Sequence, residues 1–348
     1  MPGEGERPVI DPHVHLRDWN QKEKETIFHG LLIGSMCGID TFFDMPNTNP
    51  PLTSLEAIGR RLADGEAAAE AISRNSGKTL SYHVYGGLTP ERNQIQEMVE
   101  AYNLLFPRVC GLKLFAGQST GNMGVVEKEN QKAIYQALTE LGYKGVVAVH
   151  SEKESYFDKS QKEHSLVRPP VSEVESVRDQ IEAIEETGFQ GTLHIAHIST
   201  EGALELVKDA KKRGLKVTCG ATPHHLLKNS GDATMWAKMN PPLRPESDRK
   251  AIWNGLFDGS VDWVESDHAP HTVENKEQGA SGIPGFEGTL LLIKKLREEG
   301  MEEKRLNELF SENVFKAFGM EDKKSSPVPA FDNDILKSVH SAYPFSAW

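Results

Sequence analysis

The chain has little cysteine, and what it has is scattered. Cys37, Cys110 and Cys219 are its three cysteines, and none of them belongs to a C-x-x-C pair. This distribution argues against a disulfide framework and is typical of reduced thiols in a cytoplasmic protein. The sequence also lacks any run of about 18 apolar residues, so we expect no membrane span. Its first seven residues are polar and acidic, without the apolar core of a signal peptide.

Basic residues are also in deficit. The 348 residues include 39 lysines and arginines against 51 aspartates and glutamates, a formal net charge of −12. This acidic balance argues against a nucleic-acid-binding surface. The hydrophobic fraction of 38% is enough for a sizeable core. The length is ordinary for an α/β barrel, which commonly has about 250 residues and more with insertions.

Apolar strand-like runs alternate with amphipathic helical runs along most of the chain. The pattern predicts eight strands, at 8–10, 39–43, 80–85, 111–115, 145–150, 192–197, 215–219 and 261–265. Helical patterns lie between and after them, at 23–36, 54–73, 92–105, 127–141, 201–213, 247–257, 287–299 and 305–318. The segment 151–172 is charged and loop-like, and Ser172 with Glu175 predicts a capping box at the start of a further helix.

Eight strands, each followed by a helical pattern, predict a (β/α)8 TIM barrel. A doubly wound open sheet is the alternative. Clusters of polar residues follow seven of the eight predicted strands. An open sheet would use one or two switch points for such residues, whereas a barrel brings all strand carboxyl ends to one mouth. The clusters therefore favour the barrel.

The first polar cluster, D-P-H-V-H-L-R-D over 11–18, follows the first predicted strand. Alternate side chains of a strand point the same way, so His13 and His15 project together. Two imidazoles on one side suit a divalent cation. A lone H-x-H is equally well explained by two histidines at a polar strand end. The adjoining Arg17 and Asp18, and the place of the motif on the first strand, favour a metal site.

Four more chemically capable residues stand at the ends of other predicted strands: Lys113, His150, His197 and Asp267. Each alone has an ordinary explanation as a solvated lysine, a hydrogen-bonded histidine or a helix cap, but together they predict one site. An ammonium repels cations, so Lys113 fits this cluster if CO2 carboxylates it. The resulting carbamate has two oxygens that could bridge two cations about 3.5–4 Å apart, the spacing of two-metal hydrolytic sites.

Seven stretches of the sequence resemble the amidohydrolase superfamily and, within it, the dihydroorotase family. They are D-P-H-V-H-L-R-D (11–18), M-P-N-T (45–48), G-L-K-L-F (111–115), A-V-H-S-E (148–152), H-I-A-H-I-S-T (194–200), N-P-P-L-R (240–244) and S-D-H-A-P-H-T (266–272). The resemblance runs from residue 8 to about residue 319.

The resemblance implies an enzyme of de novo pyrimidine biosynthesis. Its reaction is the reversible hydrolysis of the cyclic amide of (S)-dihydroorotate to N-carbamoyl-L-aspartate, by a hydroxide bound to two metal ions. The implied ligands are His13, His15 and Asp267 for the more buried ion, His150 and His197 for the more exposed one, and carboxylated Lys113 between them. Zinc is the expected metal, and Asp267 is the implied general base and acid.

The resemblance also implies a set of substrate contacts. Arg17, Asn47 and His271 would bind the substrate carboxylate, and Asn240 would contact the ring. The planar fork of Arg17 can donate two parallel hydrogen bonds to a carboxylate. The alternative for Arg17 is a salt bridge with Asp18, and the alternative for both asparagines is turn chemistry near proline.

Three other functions stay open at this point. Allantoinase and hydantoinase (dihydropyrimidinase) share the metal ligands of the family but have no use for the carboxylate-binding residues. A non-catalytic scaffold relative would be expected to lose metal ligands, and none is missing here. A homodimer, or an association with other pyrimidine-pathway enzymes, is an expectation at the level of the family.

Domain limits and one loop complete the expectations. Only ten residues precede Asp11, so we expect the β-sandwich of many relatives to be absent or vestigial. The barrel is predicted over 1–320, with a C-terminal tail over 321–348 packing on it. In the glycine-containing loop 117–124, Ser119 and Thr120 could close over the substrate.

Overall fold

The barrel predicted from the sequence is confirmed. The computed structural model describes residues 9–118, 123–320 and 328–348. It contains eight parallel strands hydrogen-bonded in sequence order. Their bounds are β1 Val9–Val14, β2 Ile39–Asp44, β3 Ser81–Gly87, β4 Val109–Ala116, β5 Val146–Ser151, β6 Thr192–Ile195, β7 Val217–Ala221 and β8 Trp263–Val264. These strands form one sheet, and the described residues contain no β-sandwich.

The sheet closes between its first strand and the segment after its last strand. A parallel bridge pairs Val14 with His268, where the backbone N–H of His15 donates to the carbonyl of His268 at 2.8 Å. The backbone N–H of Ser266 also donates to the Asp11 carboxylate at 3.1 Å. The closure places the residues that follow β1 and β8 side by side, although they are separated by most of the chain.

Helices cover the outside of the barrel. Their bounds are α1 Ile27–Met36, α2 Leu55–Ser76, α3 Arg92–Leu105, α4 Lys128–Glu140, α5 His164–Val167, α6 Pro170–Thr187, α7 Glu201–Lys212, α8 Pro223–Leu227, α9 Glu246–Asp258, α10 Val273–Glu277, α11 Phe286–Glu298, α12 Glu303–Asn307, α13 Asn313–Ala317 and α14 Asn333–Ser341. A π-helical turn, Glu308–Glu312, joins α12 to α13. Within the described ranges, no helix has the length and apolar content needed to cross a membrane.

Local sequence explains where several of these helices begin and end. The side chains of Thr26, Ser54 and Thr200 each accept a hydrogen bond from a backbone N–H in the first turn that follows, which satisfies a donor without a helical partner. Helices α2 and α6 end at Gly77 and Gly188, whose left-handed backbone is open to glycine without steric penalty.

The predicted capping box at Ser172 is wrong. Helix α6 begins at Pro170, its N-cap is Pro169, and Ser172 is buried inside its first turn. Proline is tolerated there because the backbone N–H that it lacks would have no helical partner in any case. The segment before α6 also contains a short 3-10 turn, Glu154–Tyr156, in addition to α5.

Two strands are shorter than the sequence pattern predicts, and both end at the mouth of the barrel. Strand β6 ends at Ile195 and not at His197, and β8 has only two residues. His197 and Asp267 have φ angles of +42° and +47°, in the left-handed region that non-glycine residues rarely adopt. The backbone therefore leaves the extended conformation before each of these side chains and turns it toward the mouth.

Residues 328–348 pack against the barrel. Val328 and Val339 are buried in the main hydrophobic core, and α14 contacts α1 and α11. The division of the chain at residue 320 remains a prediction. Ser119 and Thr120, in the loop predicted to close over the substrate, lie outside the described residues.

Candidate active site

The six polar side chains predicted at the strand ends meet in one pocket at the carboxyl end of the barrel. The pocket is lined by His13, His15, Lys113, His150, His197 and Asp267, together with Arg17, Asn47, Asn240, Phe115, Ala269, Ser281 and Gly282. Each of the first six is buried, with at most 9% of its surface exposed. The predicted residues thus come together in space from five different strands and the segments after them.

Three of these side chains form a compact group of donors. The Nε2 atoms of His15 and His13 lie 3.1 and 3.5 Å from Oδ1 of Asp267. One ligand atom from each of the three residues falls within 4.8 Å of the other two. Two imidazoles and a carboxylate in this arrangement can hold one divalent cation.

Two further histidines face each other across the pocket. Nδ1 of His150 lies 3.3 Å from Nε2 of His197, and both rings are buried. Burial lowers the pKa of His150 and holds that of His197 well below its ordinary value. Both are therefore neutral near pH 7, and neutral imidazole is the form that binds a metal ion.

Lys113 is completely buried and lines the same pocket as these two groups. Its Nζ has no hydrogen-bond partner among the residues that the structure describes. Burial lowers the pKa of Lys113 to about 8, although Glu265 and Asp267 act to raise it. A buried ammonium without a hydrogen-bond partner is costly, and a lowered pKa increases the fraction of neutral amine that can react with CO2. The surroundings therefore fit a carboxylated lysine between two cations.

The outer nitrogens of three of the four histidine rings lie close to buried side-chain oxygens. Nδ1 of His15 lies 2.6 Å from Oδ1 of Asn47. Nδ1 of His13 lies 3.5 Å from Glu265, and Nε2 of His150 lies 3.2 Å from Glu152. Such partners fix the ring orientation, so that the other nitrogen faces the pocket.

The sequence pattern did not single out either of these glutamates. Glu152 stands two residues after His150, and Glu265 stands two residues before Asp267. A carboxylate two positions from a predicted metal ligand, on the same side of an extended chain, was the available signal. The contact between Nδ1 of His15 and Oδ1 of Asn47 indicates that Asn47 orients His15. A contact between Asn47 and a substrate remains a prediction.

Asp267 is the one acidic side chain of the set. Burial raises its pKa, while the nearby His13 and Lys113 act in the opposite direction. A carboxyl group whose pKa is moved toward neutrality can both accept and return a proton. Its environment therefore suits general acid–base work.

Arg17 is a buried cation beside this cluster. Its Nε donates to the carbonyl of Pro270 at 3.2 Å, and its Nη2 lies 3.4 Å from Nε2 of His271. Burial lowers the pKa of Arg17 to about 10, so it stays charged near pH 7. The alternative salt bridge with Asp18 does not form, since Asp18 accepts from the backbone of Trp19 and Ile27. The guanidinium is thus available for an anion in the pocket.

A buried ion pair supports the backbone that carries Arg17. Arg61 donates to Oδ2 of Asp44 through Nε and Nη2, at 2.9 and 2.6 Å. It also donates to the carbonyls of Leu16 and Arg17, at 3.0 and 2.9 Å. Consecutive positive φ angles at Arg17, Asp18 and Trp19 make this support necessary, because such a backbone persists only when its surroundings hold it.

We expect Arg61→Met to lower the free energy of unfolding by about 3 kcal/mol, because it leaves the Asp44 carboxylate buried without its partner. Urea denaturation of the purified protein measures this. Arg74→Met is the matched control, because Arg74 pairs with Glu70 in an exposed ion pair and should leave stability nearly unchanged. Equal losses in the two variants would contradict a special contribution of the buried pair.

Comparison with known proteins identifies relatives of the chain. No family model matches it. It is 34% identical over 295 residues to a dihydroorotase from Thermococcus kodakarensis, covering 84% of this chain and 63% of that protein. It is 32% identical over 354 aligned positions to a dihydroorotase from Halobacterium salinarum, covering 95% of this chain and 78% of that protein. The chain therefore spans less than two thirds of the Thermococcus protein.

Solved structures support the fold. An L-hydantoinase (dihydropyrimidinase) from Arthrobacter aurescens matches with a TM-score of 0.78 at 24% identity, over 93% of this chain and 74% of that one. A dihydroorotase from Campylobacter jejuni matches with a TM-score of 0.70 at 20% identity, over 93% and 86% of the two chains. At these identities the likeness establishes the barrel alone. The sequence identities to the archaeal proteins go further: the chain belongs to the dihydroorotase family.

Proposed function

We propose that this chain catalyses the reversible hydrolysis of (S)-dihydroorotate to N-carbamoyl-L-aspartate. The observation that carries the proposal is the buried guanidinium of Arg17 next to the histidine and lysine cluster. No carboxylate of the described residues lies within ion-pair distance of it. Dihydroorotate bears a carboxylate on its ring and would supply the missing charge through two parallel hydrogen bonds. Hydantoin and allantoin bear no carboxylate, which makes them the weaker candidates.

The same proposal assigns the cofactors. His13, His15 and Asp267 would hold one divalent cation, His150 and His197 would hold a second, and Lys113, carboxylated by CO2, would bridge them. The donor set suits zinc. When bound, the two cations would lower the pKa of a water molecule and polarise the amide carbonyl.

The residues of the chain itself would orient the substrate and move the proton. Arg17 and His271 would hold the substrate carboxylate, and Asn240 would donate to and accept from the ring amide. Asp267 would take the proton of the attacking water and pass it to the ring nitrogen that leaves. In the biosynthetic direction, Asp267 would take the proton of the nitrogen that closes the ring and give it to the carboxyl oxygen, which leaves as water. The place of its carboxylate among the pocket residues supports this role.

The first experiment measures metal content and turnover on one purified sample. We expect about two metal ions per chain, with turnover of dihydroorotate and not of allantoin or hydantoin. Turnover of allantoin or hydantoin alone would show that the proposed substrate is wrong, while the proposed metal site would stand. No metal and no turnover after reconstitution with zinc and bicarbonate would favour a scaffold. A homodimer, an association with other pyrimidine-pathway enzymes and a cytoplasmic location remain predictions.

The proposed role of Arg17 has its own test. Arg17→Lys keeps the charge but loses the planar fork, so we expect KM for dihydroorotate to rise by about tenfold or more. Steady-state kinetics of hydrolysis measure this. Arg60→Met is the control, because Arg60 lies over the ring of Trp19, outside the residues that line the pocket. An unchanged KM in Arg17→Lys would contradict the assignment.

A further inference from the structure

Lys276, in the short helix α10, is almost completely buried, with 1% of its surface exposed. Its Nζ donates three hydrogen bonds, all to backbone carbonyls: Lys238 at 2.9 Å, Ala280 at 3.1 Å and Gly282 at 3.0 Å. No carboxylate of the described residues forms an ion pair with it. A lysine ammonium has three donors, and this one uses all of them on the backbone.

The three carbonyls belong to two segments that both reach the pocket. Gly282 lines the pocket directly, and Asn240, two residues after Lys238, lines it from the other segment. The segments also meet without the lysine, because the backbone N–H of Gly282 donates to the carbonyl of Lys238 at 2.9 Å. Lys276 and Gly282 thus share one acceptor, the carbonyl of Lys238. The ammonium links the two segments that line the pocket.

The backbone at Gly282 has little room to move. Gly282 has a φ angle of +134°, and a Cβ added there would lie 2.6 Å from the carbonyl oxygen of Ala269 and 2.9 Å from Nε2 of His271. The backbone therefore passes directly against a residue of the proposed carboxylate site. A small displacement of this segment would press on His271 or open a gap beside it.

The C-terminal segment covers the lysine. The ring of Phe345 lies 5.6 Å from Nζ of Lys276, within the range of a cation–π contact. Phe345 packs on Trp236 and on a small apolar cluster that includes Met239 and Ile283. Burial, with a smaller contribution from Lys238, lowers the pKa of Lys276 to about 7. The three carbonyl oxygens act in the opposite direction, because they stabilise the charged form.

We propose that Lys276 is a positioning residue that holds the Asn240 segment and the Ser281–Gly282 segment at the spacing that the substrate ring requires. Without the ammonium, three buried carbonyl dipoles converge on a space with no donor, and the two segments are expected to separate. Lys276 does not line the pocket, so its removal should affect substrate binding more than the chemical step. This part of the proposal rests on the proposed function.

Kinetics of Lys276→Met test the effect on binding. We expect KM for dihydroorotate to rise by about tenfold, which corresponds to about 1.4 kcal/mol, with kcat within about threefold of the original protein. Lys276→Arg keeps a cation and should give an intermediate KM. If Lys276→Met fails to fold, the KM of Lys276→Arg decides whether Lys276 contributes to substrate binding. Lys211→Met is the control, because Lys211 donates to the Ser260 carbonyl and to Asp262 before β8, away from the pocket. A lowered melting temperature with an unchanged KM would overturn the proposal.

Hydrogen exchange gives a readout that does not depend on activity. In Lys276→Met, amides in 236–243 and 279–284 should exchange faster, while those of β4 and β5 should not change. In Lys211→Met, the two pocket segments should keep the exchange of the original protein. If the original protein does not hydrolyse dihydroorotate, the proposed function fails, but faster exchange still supports the fastening of the two segments. Unchanged exchange of both segments in Lys276→Met would overturn the proposed role of Lys276.

Discussion

Replacing Asp267 with asparagine should lower kcat for dihydroorotate hydrolysis by about 10³-fold or more. The amide has nearly the shape of the carboxylate but cannot take a proton from water or return it to the ring nitrogen. It also removes the one negative charge from the donor group that includes His13 and His15. Steady-state hydrolysis, with metal analysis of the same sample, measures both consequences.

The metal analysis separates the two contributions of Asp267. A low kcat with the original metal content would assign the loss to proton transfer, whereas loss of metal would assign it to ligation. Asp262→Asn is the matched control, because Asp262 lies at the opposite end of β8 and pairs with Lys211. We expect its kcat to stay within about threefold of the original. A similarly small effect in Asp267→Asn would refute the proposed role.

Replacing Lys113 with alanine should abolish turnover and reduce the metal content from about two ions per chain to one or none. The reason is its location. Lys113 lines the same pocket as the His13–His15–Asp267 group and the two facing histidines, and its carbamate is the proposed bridge. Metal analysis and steady-state kinetics measure the loss. Lys153→Ala is the control, since Lys153 pairs with Asp179 outside the pocket.

Two further measurements test the carbamate itself. Intact mass of the native protein should include one CO2, which acid should release. In Lys113→Ala, added acetate should restore part of the activity, because the small side chain leaves space for a carboxylate that supplies the two missing oxygens. In Lys113→Met, where that space is filled, acetate should have no effect. An active native protein with unmodified Lys113 would contradict the carboxylated bridge.

The alternation of side chains along a strand let the sequence predict that His13 and His15 point together. The eight apolar runs, with polar residues after most of them, were enough to predict the barrel and its shared mouth. Such properties are local, since each depends on a few neighbouring residues and on the two-residue period of a strand. Errors in the fold prediction were local as well. The capping pattern predicted a helix start at Ser172, but the helix begins at Pro170, because proline is favoured at the first helical position.

What the sequence by itself determined was the type of fold and the residues that gather at its mouth. Only the tertiary structure decided which of them touch. Arg17 meets His271 across 254 positions of sequence, and His13 meets Glu265 only because β1 closes on the segment after β8. The three hydrogen bonds from Lys276 to backbone carbonyls likewise depend on how two loops pack against each other. Local periodicity specifies the face on which a side chain lies, but a contact across the barrel depends on the register and closure of all eight strands.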